Sequence, residues 1–114
     1  MILLSVASGE EVMETITRKL EELDILDGAV VSLIGAVEGC AISTMAMDDS
    51  SSDIIIEYPQ PLELSGNGEI IDGKLHLHVV CGAEGNQTIS GHLCWANVKN
   101  FYVNAYVLPL TRKS

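Results

Sequence analysis

The three histidines of this chain lie close together in sequence. His76 and His78 sit in the run Leu75-His76-Leu77-His78-Val79-Val80-Cys81, and His92 follows within one hairpin's length in Gly91-His92-Leu93. Read as a strand, the first run sends His76, His78 and Val80 to one face and Leu75, Leu77, Val79 and Cys81 to the other. Two imidazoles on one face are then roughly 7 Å apart, a spacing from which both can turn toward one ion. A turn near Gly85 would pair this strand with the one starting near Gln87 and bring His92 level with the other two. Three neutral imidazoles at about 2.0–2.1 Å suit zinc, and also nickel, copper or iron, with one position left open for water or substrate. Such a site lowers the pKa of bound water and supports hydrolysis in principle.

Plainer readings stand beside this one. An HxH pair in a strand is often only solvated or hydrogen-bonded to backbone. Cys94 shares parity with His92 and could close the site as a fourth ligand, although a cysteine between Leu93 and Trp95 is more simply buried. Asp72 and Glu84 lie at turns and carry no independent signal. Gly91 marks a tight backbone approach, either structural or made so that His92 can face a ligand or a neighbouring subunit. The chain contains no nucleophile elbow, phosphate loop or CxxC pair.

The elements that must position these residues can be read in order. Residues 2–7 read as a strand. Ser8-Gly9-Glu10-Glu11 matches a capping box and predicts a helix with Val12, Ile16, Leu20 and Leu23 on one stripe, Met13 beside it, and a Glu14–Arg18 pair on the wet side. Asp27-Gly28 turns the chain into Ala29–Ile34, an apolar run expected to be buried on both faces. Gly35 and Gly39 precede a weaker strand over Cys40–Met47. Asp48–Asp53 reads as a solvated loop, and it lacks the glycine and glutamate spacing of a calcium loop. Strands are expected at Ile54–Tyr58, Leu62–Ser65, Glu69–Ile71, Leu75–Cys81, Gln87–Leu93 and Phe101–Leu110. Pro59-Gln60-Pro61 is an extended link, Asn67-Gly68 and Asp72-Gly73 are hairpin turns, and Ala83–Asn86 is a further turn. The sum is an α+β protein, a mostly antiparallel sheet of about seven strands with one packed helix.

At 114 residues with 47% hydrophobic content, residues 1–114 form one domain able to fold without metal or disulfide staples, so a metal would serve function or assembly. The formal charge of -10 disfavours direct binding to nucleic acid or anionic lipid, since only Arg112-Lys113 forms a basic pair near the end of the chain. Met1–Ala7 is too short an apolar segment for a signal peptide or a membrane span. Three cysteines, Cys40, Cys81 and Cys94, read as reduced thiols in an intracellular, cytoplasmic protein.

Several separated segments together resemble one family. Gly9-Glu10-Glu11, Val30-Val31-Ser32-Leu33-Ile34-Gly35-Ala36, Leu62-Glu63-Leu64-Ser65-Gly66, Asp72-Gly73-Lys74-Leu75-His76-Leu77-His78-Val79 and Gly91-His92-Leu93 look like a single-domain PPC (plants-and-prokaryotes-conserved) protein. The resemblance covers nearly the whole chain, and the paired HLHV and GHL segments are its most specific part. It implies an α+β fold assembled as a homotrimer, with His76, His78 and His92 as ligands of zinc or another divalent transition metal. Plant members carry AT-hook segments outside the domain, and on that basis prokaryotic relatives often bear a DNA-binding label. No Arg-Gly-Arg element occurs here. Asn104 stands where many relatives carry an acid, and Trp95 and Lys99 replace small or apolar residues. Three functions follow: a trimeric metal protein that binds a small ligand or supports metal-assisted chemistry, a regulator reaching DNA through a partner, or a ligand-free interaction scaffold.

Overall fold

The computed structural model describes residues 1–113. Eight strands make one sheet: β1 (Ile2–Val6), β2 (Gly28–Val37), β3 (Cys40–Ala46), β4 (Asp49–Tyr58), β5 (Leu62–Ile71), β6 (Lys74–Ala83), β7 (Gln87–Ala96) and β8 (Val103–Pro109). Their order is β1-β8-β2-β5-β6-β7-β3-β4, and every neighbouring pair is antiparallel. One helix, α1 (Val12–Glu22), joins the core on one side of the sheet. The α+β class is as expected, with eight strands rather than about seven.

Short links force the sheet to bend. Only Glu38 and Gly39 connect β2 to β3, which stand four places apart in the sheet. Three Cα steps reach at most about 11 Å, whereas four strand spacings on a flat sheet span about 19 Å. The sheet therefore curls about its apolar face. Backbone hydrogen bonds from Glu38 N to Asn97 O and from Asn97 N to Gly39 O, both 2.9 Å, pin this corner. Inside lie Val6, Val30, Leu33, Leu64, Leu77, Val79, Leu93 and Val107, closed over by Val12, Ile16 and Leu20 of α1.

Several local expectations change. The helix cap is Glu11, not Ser8: its carboxylate accepts from Met13 N and Glu14 N at 2.8 Å. Gly9 adopts a positive φ of 88°, so the helix begins later, and the Ser8 hydroxyl instead donates to the Lys99 carbonyl. Leu23 ends the stripe outside the core, as the exposed C-terminal cap. Arg18 pairs with Glu22 and Glu10 rather than Glu14, at 3.3 and 3.4 Å. The β2 run is buried on one face only, because one helix covers only one side; Val31 and Ile34 are 50% and 53% exposed.

Asp48–Asp53 is not a loop beyond its first residue. Strand β4 begins at Asp49, since pairing with β3 supplies the ladder that the polar composition does not reveal. Asn67-Gly68 is no turn either; it lies inside β5, in register with His78 and Leu77. The Asp72-Gly73 turn holds, with φ of 51° and 79°, the positive pair that a two-residue hairpin requires. A 3-10 turn at Glu84–Asn86 joins β6 to β7. The last strand is shorter than expected, Val103–Pro109.

Paired residues of neighbouring strands share a face. One outward row therefore runs Ser5, Asn104, Ile34, Ser65, Val80, Ser90. The next contains Asn67, His78, His92, Ser43 and Ile55, with Ser43 itself buried.

Candidate metal centre

The β6 alternation places Leu77, Val79 and Cys81 in the core and leaves His76 and His78 exposed on the outer face. Across the ladder, His78 pairs directly with His92 of β7. The three rings converge: centroids are 4.7 Å apart for His76–His78, 4.9 Å for His76–His92 and 6.2 Å for His78–His92. His76 Nε2 and His78 Nε2 are 3.1 Å apart. One ligand atom from each of the three residues lies within 4.8 Å of the others.

Tetrahedral coordination at about 2.0–2.1 Å places ligand nitrogens about 3.4 Å apart. The His76–His78 pair at 3.1 Å is already close to that value, and all three nitrogens fall within 4.8 Å, so ring rotations could aim the three lone pairs at one point. His92 is pushed below the usual imidazole range, first by burial, then by His76 and His78, with Asp53 opposing. A neutral ring is the form that ligates.

Close backbone contacts hold the histidine strands between their neighbours. A Cβ on Gly91 would stand 2.7 Å from the Ser43 carbonyl oxygen and from Ile42 Cγ2, the tight approach expected beside His92. Gly66 and Gly68 do the same on the other side: a Cβ there would meet the carbonyl oxygens of His78 and His76 at 2.1 and 2.0 Å. Sequence reasoning missed these two by reading Asn67-Gly68 as a turn; a Gly-x-Gly inside a strand-length segment is the signal that points to them.

Other candidates stay apart. Cys94 is half-buried and outside the histidine group. Asp72 is bound by Arg112 at 2.8 Å, and Glu84 lies in the β6–β7 turn. Cys40 and Cys81 are free thiols in the core. The hydrogen bond with Cys40, then burial, pushes Cys81 far up and keeps it protonated. Asn104 accepts from the Ser5 hydroxyl at 2.8 Å. Among the described residues no helix is long and apolar enough to cross a membrane.

Fold and site together define a class: a curled antiparallel sheet with a single packed helix and a three-histidine group on its uncovered face. The chain belongs to the Plants and Prokaryotes Conserved (PCC) domain family, also abbreviated PPC, whose model matches residues 1–111. Among solved structures, a metal-containing protein from Archaeoglobus fulgidus is 33% identical, with a TM-score of 0.78 over 99% of this chain and 81% of that one. A plant- and prokaryote-conserved protein from Pyrococcus horikoshii is 22% identical, with a TM-score of 0.79 over 96% and 80%. A "putative DNA-binding protein" from Ralstonia eutropha shares the fold at 17% identity, with a TM-score of 0.83 over 96% and 78%. No curated protein matches the chain.

Proposed function

We propose that this protein is a metal-binding homotrimer in which His76, His78 and His92 hold one divalent transition ion, zinc being the first candidate. The observation that carries the reading is the convergence of one nitrogen from each of the three imidazoles within 4.8 Å on the face that α1 does not cover. The metal-containing character of the 33% identical Archaeoglobus protein supports it. An ion held by three imidazoles supplies an open Lewis-acid position for water or one small ligand. The chain's own part is orientation: β6 delivers two rings, β7 delivers the third, and Gly68 and Gly91 let the neighbouring strands close against both.

Elemental analysis of protein made without a histidine tag, beside His76→Ala/His78→Ala, tests the site. About one transition metal per chain in wild type and none in the double variant is the expected result. Less than about a tenth of an equivalent after zinc is supplied overturns it.

Trimer formation is supported by the uncovered sheet face, where Val31, Ile34 and Val80 are exposed, and by two open sheet edges. A second reading, association with nucleic acid, draws on the name of the Ralstonia relative. The formal charge of -10 opposes its direct form, and Arg18 and Arg112 are each engaged by two carboxylates. Absence of a gel shift near 50 mM salt, where phosphate attraction is strong, leaves only the version that acts through a partner.

A further inference from the structure

Pairing of β6 with β7 begins at His78, opposite His92, and runs away from His76. His76 therefore has a ladder neighbour on one side only, and the residue opposite it there is Glu69 of β5. Asn67 stands across from His78 on that same side, and the buried Ser43 of β3 stands across from His92. Of these three residues registered against the rings, Glu69 alone is an anion.

Glu69 and His76 are both exposed on the outer face. Directly opposed residues of an antiparallel pair have Cβ atoms about 4.5–5.5 Å apart, a gap that a glutamate side chain spans. The two residues border one groove of about 420 Å³, together with Asn67 and His78. His76 Nε2 and His78 Nε2 face each other at 3.1 Å. An ion taken by these two nitrogens leaves Nδ1 of His76 as the donating nitrogen, since a neutral imidazole carries one N–H. A ligating histidine ordinarily gives that N–H to a carboxylate, a carbonyl or water, which fixes both its tautomer and its ring angle. The need is greatest for His76, whose end of β6 has no partner on the β7 side.

No ion pair competes for this carboxylate among the described residues: the pairs formed engage Glu10, Glu22, Asp27 and Asp72. Lys74, on the same face of β6, is registered against Ile71 instead. Asp53 also acts on His92, but from β4, two strands beyond β7, so it adds charge rather than direction.

We propose that Glu69 is a positioning residue of the metal centre, its carboxylate accepting from His76 Nδ1 and holding the ring with Nε2 toward the ion. Glu69 is no ligand itself, because the donor atoms that converge are those of the three histidines. A carboxylate so placed also raises the basicity of the ring it holds. The inference rests on the metal-centre reading and adds to it the group that orients its least supported ligand.

The test measures zinc affinity of the full chain by competition with a chromogenic chelator, in wild type, Glu69→Ala and Glu63→Ala. Glu63 is an exposed carboxylate on the same face of β5, roughly 20 Å along the strand. Glu69→Ala is expected to bind zinc about 10- to 100-fold more weakly, and Glu63→Ala as tightly as wild type. Glu69→Gln, which keeps an acceptor oxygen without the charge, is expected in between. Proton–nitrogen NMR of the zinc-loaded chain gives a readout that a merely structural role would not move. The His76 Nδ1 proton is expected to be protected from solvent exchange in wild type and lost in Glu69→Ala, with the His78 signals unchanged. Equal affinity in wild type and Glu69→Ala, an equal fall in Glu63→Ala, or an unaltered His76 Nδ1 signal overturns the positioning role and leaves the metal centre in place. A wild type that takes up no zinc removes the metal centre and this inference together. Should Glu69→Ala lose its far-UV circular dichroism, Glu69→Thr is measured with the same expectation, since threonine suits a strand and is too short to reach the ring.

Discussion

Strand β6 has two faces built from interleaved residues of one short segment. Leu77, Val79 and Cys81 are sealed in the core, while His76, His78 and Val80 look outward, each one residue away from a buried neighbour. The inner set is held by exclusion of water and contributes stability through its area. The outer set contributes little to burial and owes its arrangement to the rigidity of the inner one. A site built this way separates folding from function: the same backbone that the core immobilises presents the imidazoles of the proposed metal centre.

The comparison can be broken most severely from inside. Leu77→Ala removes a side chain with no exposed surface, and denaturant titration should show a loss of about 3 kcal/mol. Metal bound per folded chain should stay near the wild-type level, because the outward face keeps all its ligands. A loss below about 1 kcal/mol would mean that this face is not the packed core described.

Gly68→Ala tests the link between the faces. Its added methyl would stand 2.0 Å from the His76 carbonyl oxygen, a backbone atom, so β5 and β6 must separate. The expected cost is about 1–3 kcal/mol, and zinc affinity should fall as the histidines move. Unchanged affinity in a folded variant would show that the close approach does not position them.

The smallest effect concerns the outer face alone. His92 is held below the usual imidazole range, so the unfolded chain takes up its proton first. The stability linked to this residue is complete above the ordinary imidazole value of about 6.5 and is lost as pH falls through the lower folded value. Metal-free wild type should therefore lose melting temperature more steeply below about pH 6.5 than His92→Asn. Equal slopes would show that the ring is as freely protonated in the fold as in the unfolded chain.

Much of this was legible without coordinates. The two-residue period of Leu75–Cys81 separated the histidines from the core, the Asp72-Gly73 pair marked its turn, and the turn before Gln87 brought His92 alongside. Each depends on residues near one another in sequence. The errors share a different origin. Asn67-Gly68 carries the composition of a turn, yet lies mid-strand because β6 needs backbone to approach there. Asp48–Asp53 carries the composition of a loop, yet β4 forms because β3 offers a ladder. The β2 run looked buried on both sides, and only the presence of a single helix layer shows that it is not.

The sequence by itself determined the alternation of each strand, the helix stripe from Val12 to Leu20, the acidic surface, and which residues were able to ligate. These are consequences of side-chain chemistry and of the fixed periods of helix and strand. The tertiary structure decided the sheet order, the bend at Glu38-Gly39 and the register of His78 against His92. Those depend on pairings between segments far apart in the chain, and a register is chosen by the whole sheet at once, because a one-residue slip would turn every buried side chain outward.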